Sequence, residues 1–242
     1  MFFAEQEVRV HEADPYGLLR PSQLLRCGLT VSQIQQDGEG LVTPEIEEQT
    51  HLGWMLARFR CEQYAAARRG ERLHMVCTPR AVQKAYYIRE ACISRSAEEI
   101  ARVRMVWVPV NMETRRIIRV SELEKLFSDS VPKAEIEDVR RLPLPKALPE
   151  WGGMDVSYSL CDGNGHLSSA NYIDLLCDAF GFWRDGPKRM AEMQIDYLAE
   201  FLPEERLTLF GARSGDTVTS RGIHADGKPG FNALFRFVEI ED

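Results

Sequence analysis

Five consecutive residues, Asp162-Gly163-Asn164-Gly165-His166, set a carboxylate, a carboxamide and an imidazole at alternate positions. Polar groups at i, i+2 and i+4 of an extended chain project to one side. A helix is predicted to begin near Ser168, directly behind them. Free N–H groups and the dipole at a helix start favour negative charge. An acid, a hydrogen-bonding amide and a titratable base ahead of such a terminus suit chemistry on a carbonyl. The plain alternative is a turn, since Asp, Asn and Gly are the usual turn residues. The imidazole and the helix behind it weigh toward a site.

The elements that must hold these groups are written twice along the chain. In the first half, residues 8–10 open as a strand, and residues 21–35 read as a helix with Pro21 in its first turn and Leu24, Leu25, Val31 and Ile34 on its apolar face. Asp37-Gly38-Glu39-Gly40 ends that helix, and strand-like runs follow at 54–64, 72–83, 86–94 and 100–111. A charged helix at 121–127 leads into 128–153, where Pro132, Pro143, Pro145 and Pro149 mark a linker. The second half repeats the order: a strand at 154–160, then a helix at 168–183 with Tyr172, Leu175, Leu176 and Ala179 on its apolar face. Strands are predicted at 190–198, 206–213, 216–224 and 231–240, the last two joined by the turn Asp226-Gly227-Lys228-Pro229-Gly230.

The halves also align by residue. Asp14 lies 148 residues before Asp162, and Glu71 lies 134 before Glu205. At the first offset Asn164 faces Tyr16 and His166 faces Leu18; at the second, Glu200 faces Ala66. Five strands curled round one central helix make a hotdog, so two in tandem make an α+β double hotdog, two antiparallel sheets each wrapped round a helix and packed sheet to sheet. The divisions are a first hotdog at 1–127 that shapes a pocket, a linker at 128–153 and a second, catalytic hotdog at 154–242.

Composition narrows the classes. The 242 residues carry 44% hydrophobic and 28% charged side chains, as in ordinary globular proteins. A net charge of −7 argues against nucleic acid as the partner of the whole chain. No apolar run approaches the ~20 residues that span a membrane, and Met1-Phe2-Phe3-Ala4-Glu5 lacks the features of a signal peptide. The six cysteines lie far apart with no C-x-x-C pair, which reads as reduced core thiols in a cytoplasmic protein and speaks against zinc. There is no G-x-S-x-G elbow and no glycine-rich phosphate loop.

On these residues the chain resembles the acyl-acyl-carrier-protein (acyl-ACP) thioesterases of plant plastids and bacteria, double hotdogs that release fatty acids from acyl carrier protein. Their D-x-N-x-H-x-x-N-x-x-Y-I motif is matched in register by Asp162, Asn164, His166, Tyr172 and Ile173. Asp196-Tyr197-Leu198-Ala199-Glu200-Phe201 is similar to the family's E-Y-x-x-E-C. Trp54 and Arg58 match W-x-x-x-R, and Val106-Trp107-Val108 with Asn111 and Thr114-Arg115-Arg116 matches V-W-V-x-x-N-x-x-T-R-R. The departures are Ser169, next to Ser168, where the motif has asparagine, and Phe201 where it has cysteine. A Cys-His-Asn mechanism therefore has no thiol to use. The resemblance implies a cofactor-free hydrolase of fatty acid biosynthesis whose partner is acyl carrier protein. It also implies a monomeric double hotdog or a homodimer of it. No plastid-targeting extension precedes the first half, which points to the bacterial type.

The chemistry so implied is thioester hydrolysis. Glu200 and His166 are expected to activate water, with Glu200 reaching across from a strand. Asn164 orients water or carbonyl, and backbone N–H groups around Leu167, Ser168 and Ser169 hold the oxyanion. Asp162 has two candidate roles, nucleophile through an anhydride or orienter of Asn164 and His166. Trp54, Arg58, Ser168, Ser169 and Tyr172 are candidates for substrate binding; Trp54, Met55, Leu56 and Phe59 read equally as acyl-tunnel lining or ordinary core. Ser168 and Ser169 read as helix caps rather than nucleophiles. His11, His51, His74 and His224 read as surface or satisfied histidines. Arg68-Arg69, Arg115-Arg116 with Arg119, Arg140-Arg141 and Lys188-Arg189 are basic clusters, most of them plain solvated faces, of which one or two can dock an acidic carrier. The rivals are a hotdog dehydratase or hydratase, an acyl-coenzyme A thioesterase and a non-catalytic acyl-thioester binder.

Overall fold

The computed structural model describes residues 2–38, 48, 51–83, 85–114, 116–118 and 140–240. The charged helix expected at 121–127 and the linker as far as residue 139 lie outside the described residues, as do Arg115 and Arg119. The first half runs β1 (Phe2–Glu7), α1 (Pro21–Gly38), β2 (Leu52–Gln63), β3 (Arg72–Gln83), β4 (Tyr86–Arg95), β5 (Glu98–Asn111) and the short β6 (Arg116–Ile117). The second runs β7 (Glu150–Asp155), α2 (Asn171–Phe180), β8 (Lys188–Tyr197), β9 (Arg206–Ser214), β10 (Thr217–His224) and β11 (Pro229–Glu239).

Among the described residues all strands belong to one 11-stranded sheet in the order β1-β3-β4-β5-β2-β8-β11-β10-β9-β7, with β6 beside β5. Every pairing is antiparallel. The two halves of that order are mirror lists of equivalent strands, so the repeat read from the sequence is a repeat of topology. It holds down to single hydrogen bonds. Leu19 N–H donates to Ala67 O at 2.8 Å and Leu167 N–H to Phe201 O at 2.8 Å; Val8 N–H donates to Glu71 O at 2.9 Å and Val156 N–H to Glu205 O at 3.0 Å.

The hotdogs do not pack sheet to sheet, as expected from the sequence, but join edge to edge. β2 and β8 pair from Arg58↔Asp196 to Glu62↔Glu192, which leaves neither strand as an open edge. On one face of this seam Arg58 Nε meets Asp196 Oδ1 at 2.7 Å, with 7% and 1% of the side chains exposed. Asp196 Oδ2 also accepts Leu142 N–H at 2.8 Å, and Gln194 donates to Arg140 O at 2.9 Å. The chain entering the second half is thereby strapped across the join. On the other face, one core runs through both halves, taking Leu24, Leu25, Phe59 and Met105 from the first and Ile173, Met193, Ile195 and Phe235 from the second.

Several element limits differ from the sequence reading. The strands expected at 8–10 and 154–160 are β1 and β7, which lie earlier; Val10–Glu12 and Tyr158–Leu160 are single 3-10 turns. Val8 and Val156 give their N–H groups to Glu71 and Glu205, which diverts the backbone from the sheet edge before those turns. On α1, Leu24, Leu25 and Val31 are buried but Ile34 is 39% exposed, while Ser32 and Gln35 are buried in its stead. Arg89 on β4 accounts for this: it donates to Ser32 O at 3.1 Å and lies 3.4 Å from Ser32 Oγ, so the helix turns a polar stripe toward a polar partner. α2 begins at Asn171 rather than Ser168 and stops at Gly181, whose φ of 63° is the left-handed C-terminal conformation. Its buried face is Tyr172, Ile173, Leu176 and Phe180, with Leu175 and Ala179 only partly covered. The N-cap position is Ala170, without a side-chain cap, so neither Ser168 nor Ser169 caps the helix.

Candidate active site

The pentapeptide is a tight reverse turn, not an extended segment. Asp162 N–H donates to His166 O at 3.0 Å and Gly165 N–H to Asp162 O at 2.9 Å, with Gly165 at φ 79° where a side chain would strain the backbone. Asp162 Oδ1 accepts Asn164 N–H at 2.9 Å. The turn and the site are thus one object: it is the turn that sets Asp162 and His166 side by side. His166 Nδ1 lies 3.8 Å from Asp162 Oδ1.

Glu200 arrives from a loop after β8 rather than from a strand. Leu198 and Ala199 N–H both donate to Gly230 O, at 2.8 and 3.0 Å, and Leu202 N–H donates to Glu205 Oε2 at 2.9 Å. Between them Phe201 is fully buried, against Tyr172 and stacked on His224 at 3.8 Å and 11°. The bond from Leu167 N–H to Phe201 O joins the neighbour of His166 to the neighbour of Glu200. This one bond closes a 34-residue gap and puts His166 Nε2 3.6 Å from Glu200 Oε2. The imidazole therefore sits between two carboxylates. Both distances are those of close charge contact rather than of formed hydrogen bonds. The three side chains are 25–32% exposed, open enough to admit a substrate.

Phe201 stands where the related motif has cysteine, and here it anchors the Glu200 loop. Cys161, the thiol beside Asp162, is pushed up from the ordinary range by loss of solvent and by the Asp162 charge, so it is held as a thiol. Burial likewise pushes the Tyr172 hydroxyl up, with the Phe201 N–H directed at it opposing the shift. Tyr197, also raised by burial, donates to Ser169 O at 2.9 Å.

The remaining candidates fall in different places. Leu167 and Ser168 N–H are already committed, to Phe201 O and to Leu160 O at 3.0 Å. Of the three expected oxyanion donors, Ser169 N–H is therefore the one the fold leaves uncommitted among the described residues. Tyr172 is core beneath the site. Arg58 is in the seam ion pair, and Trp54 packs edge-on against Tyr87 at 4.9 Å beside Leu52 and Trp107. Phe59 is core and Met55 is 38% exposed. His224 is only partly satisfied: its Nδ1 lies 3.5 Å from Glu205 Oε2, while its ring lies on Phe201 with Nε2 buried and without a hydrogen-bond partner. Lys188 of the basic clusters is held by Asp216 at 2.5 Å and Glu239 at 3.2 Å.

The equivalent place in the first half has the same turn without the chemistry. Asp14 Oδ1 accepts Tyr16 and Leu18 N–H, both at 2.9 Å. Leu18, in the position of His166, is 3% exposed, and Ala66 replaces Glu200. The Tyr16 hydroxyl crosses to the other half and donates to Trp183 O at 2.8 Å. Among the described residues this place therefore carries an imidazole between carboxylates in the second half and not in the first.

The fold is an α+β double hotdog whose second half holds the His166 imidazole between the carboxylates of Asp162 and Glu200. The acyl-ACP thioesterase N-terminal domain model matches residues 1–124, and the chain belongs to the acyl-ACP thioesterase family. Solved structures agree on the fold. An acyl-ACP thioesterase from Bacteroides thetaiotaomicron superimposes with a TM-score of 0.83 at 19% identity, covering 98% of this chain and 97% of that one. A putative oleoyl thioesterase from Lactobacillus plantarum gives 0.83 at 18% identity, covering 100% and 97%. The 12:0-ACP thioesterase from Umbellularia californica gives 0.80 at 15% identity, covering 98% and 96%. No curated protein matches the chain significantly in sequence.

Proposed function

We propose that the protein hydrolyses fatty acyl-acyl-carrier-protein to free fatty acid and carrier protein, in the cytoplasm and in the service of fatty acid biosynthesis. The observation that carries this reading is the imidazole of His166 held between Glu200 and Asp162 across the Leu167–Phe201 bond. Water lying between Glu200 and His166 gives up a proton as its oxygen attacks the thioester carbon. The C–S bond then breaks, and the departing thiolate takes a proton from the imidazolium. General-base help of this kind contributes roughly 100- to 10,000-fold, and an oxyanion donor such as Ser169 N–H about 3 kcal/mol. Asn164 is exposed on the same turn, its backbone N–H fixed by Asp162, and its amide is the group that would orient water or carbonyl. For Asp162 the structure favours the orienting role. Its Oδ1 holds the turn in the same way as Asp14 does in the half that has no other catalytic group.

The test is incubation with acyl carrier proteins and acyl-coenzyme A of several chain lengths, with free-thiol detection. Thiol release that His166→Ala abolishes supports the enzyme, and the preferred thioester settles the carrier. Tight product binding with no release at any length would make the protein a binder.

A further inference from the structure

The loop that carries Asp162, Asn164 and His166 is closed at its base by a residue outside the motif. Asn171, the first residue of α2, donates from Nδ2 to Leu160 O at 2.7 Å. Its own N–H donates to Ser168 O at 2.8 Å, and Ser168 N–H donates to the same Leu160 O at 3.0 Å. Leu160 and Ser168 are the two ends of the loop, so these three bonds form a ring beneath it. The other end of the Asn171 amide faces the first half. Arg26 Nη2, on α1, donates to Asn171 Oδ1 at 2.7 Å and lies 3.2 Å from Asp174 Oδ2. A primary amide can present either its oxygen or its nitrogen to a neighbour. A guanidinium can only donate, so it claims the oxygen and leaves the nitrogen for Leu160 O. Arg26 thereby decides which way Asn171 points.

The arrangement is present only where the catalytic groups are. At the 148-residue offset Asn171 corresponds to Gln23, and Asp174 corresponds to Arg26 itself. The first-half ring has its backbone bonds, Arg20 N–H to Glu12 O at 3.0 Å and Gln23 N–H to Arg20 O at 2.9 Å. Among the described residues Gln23 adds no side-chain bond to it. The ring beneath the active loop is therefore tied by a side chain to the opposite half; the blank loop reaches across instead from its tip, through the Tyr16 hydroxyl to Trp183 O.

We infer that Asn171 is a positioning residue for the catalytic loop, and that Arg26 is the side chain through which the first half, where the acyl group is expected to lie, sets the His166–Glu200 geometry. The catalytic part of this inference rests on the proposed hydrolysis. In the full-length protein, Asn171→Ala is expected to lower kcat about 10- to 100-fold, the scale of a sub-ångström to 1 Å displacement of reacting groups, with KM changed less than about threefold. Asn171→Asp still accepts from Arg26 but cannot donate to Leu160 O. It should lose kcat like the alanine variant while keeping the wild-type thermal midpoint. Arg26→Ala should lose less, and the double variant should be no slower than Asn171→Ala, since both act on one bond. Wild-type kcat and pH–rate profile in Asn171→Ala and Asn171→Asp, or additive losses in the double variant, would overturn the inference. Amide hydrogen exchange separates this from a failure of the hydrolase reading. Ser168 N–H should exchange faster in Asn171→Asp than in wild type whether or not the protein turns over thioesters, and unchanged exchange there refutes the ring.

Discussion

Gly230→Ala is the substitution that most directly tests how Glu200 is placed. Gly230 sits on β11 beneath the Glu200 loop, where its carbonyl holds the N–H groups of Leu198 and Ala199. A Cβ built there would lie 2.2 Å from Phe201 Cε2, 2.5 Å from Cζ and 3.2 Å from His224 Nε2. Ordinary contact begins near 3.4 Å, so the phenyl ring must retreat by 1.2 Å, the difference between 3.4 and 2.2 Å. It has little room to do so alone, because the His224 ring is stacked on it at 3.8 Å and Tyr172 packs beside it. The displacement passes to the Phe201 backbone, which carries both the bond to Leu167 and the peptide of Glu200. Overpacking of this size costs about 1–3 kcal/mol, or roughly 2–12 °C in the thermal midpoint of a chain this long. A ~1 Å error between Glu200 and His166 costs on the order of 100-fold in rate. The assay is single-substrate kinetics by thiol release beside a thermal melt, with Phe201→Leu as a second-site change that makes room for the new methyl. Gly230→Ala should lose kcat about 100-fold, and the double variant should recover much of it. A Gly230→Ala protein with kcat within twofold of wild type would show that Phe201 does not carry the position of Glu200.

Glu200→Gln should lower kcat about 100- to 10,000-fold with a small change in KM, measured by the same thiol assay; Tyr16→Phe, its counterweight in the blank half, should leave kcat unchanged and cost about 1 kcal/mol in a urea titration. Asp196→Ala strips the partner from a buried guanidinium and the acceptor from Leu142. It should destabilise by about 3–5 kcal/mol, lowering the midpoint by roughly 6–20 °C, while a loss under about 1 kcal/mol would mean that the seam pair is replaceable. Single turnover in isotopically labelled water should leave the Asp162 carboxylate unlabelled, and label in that side chain would make it the nucleophile. Basic side chains that steer an acidic carrier should make kcat/KM fall as salt rises; a flat salt dependence would remove electrostatic docking.

What could be read along the chain was whatever a few neighbouring residues encode. Strand periodicity located β3 to its ends and the other long strands to within a few residues. The repeated order of elements disclosed two hotdogs, whereas the Asp-Gly-Asn-Gly-His run, read as an extended segment with a turn as its rival, is a turn that sets Asp162 beside His166. The errors lay where a long-range bond overrules a local pattern. Arg89 draws Ser32 inward, and the bonds that Val8 and Val156 give to the Glu71 and Glu205 carbonyls end strands that hydropathy would extend. Glu200 was found by likeness to a family motif, not by its surroundings, and nothing local to Phe201 or His224 announced that their stacked rings hold it.

The residue order by itself determined that there are two equivalent halves and that only one has the amide and imidazole, because Tyr16, Leu18 and Ala66 stand in the other. The tertiary structure decided the rest. It joined the halves edge to edge through β2 and β8, brought Glu200 to His166 through the Leu167–Phe201 bond, and tied Asn171 to Arg26. The physical reason is distance along the chain. A turn closes on bonds within a few residues and a strand shows in the alternation of its own side chains, whereas these contacts form only when a shared core and sheet have brought distant segments together.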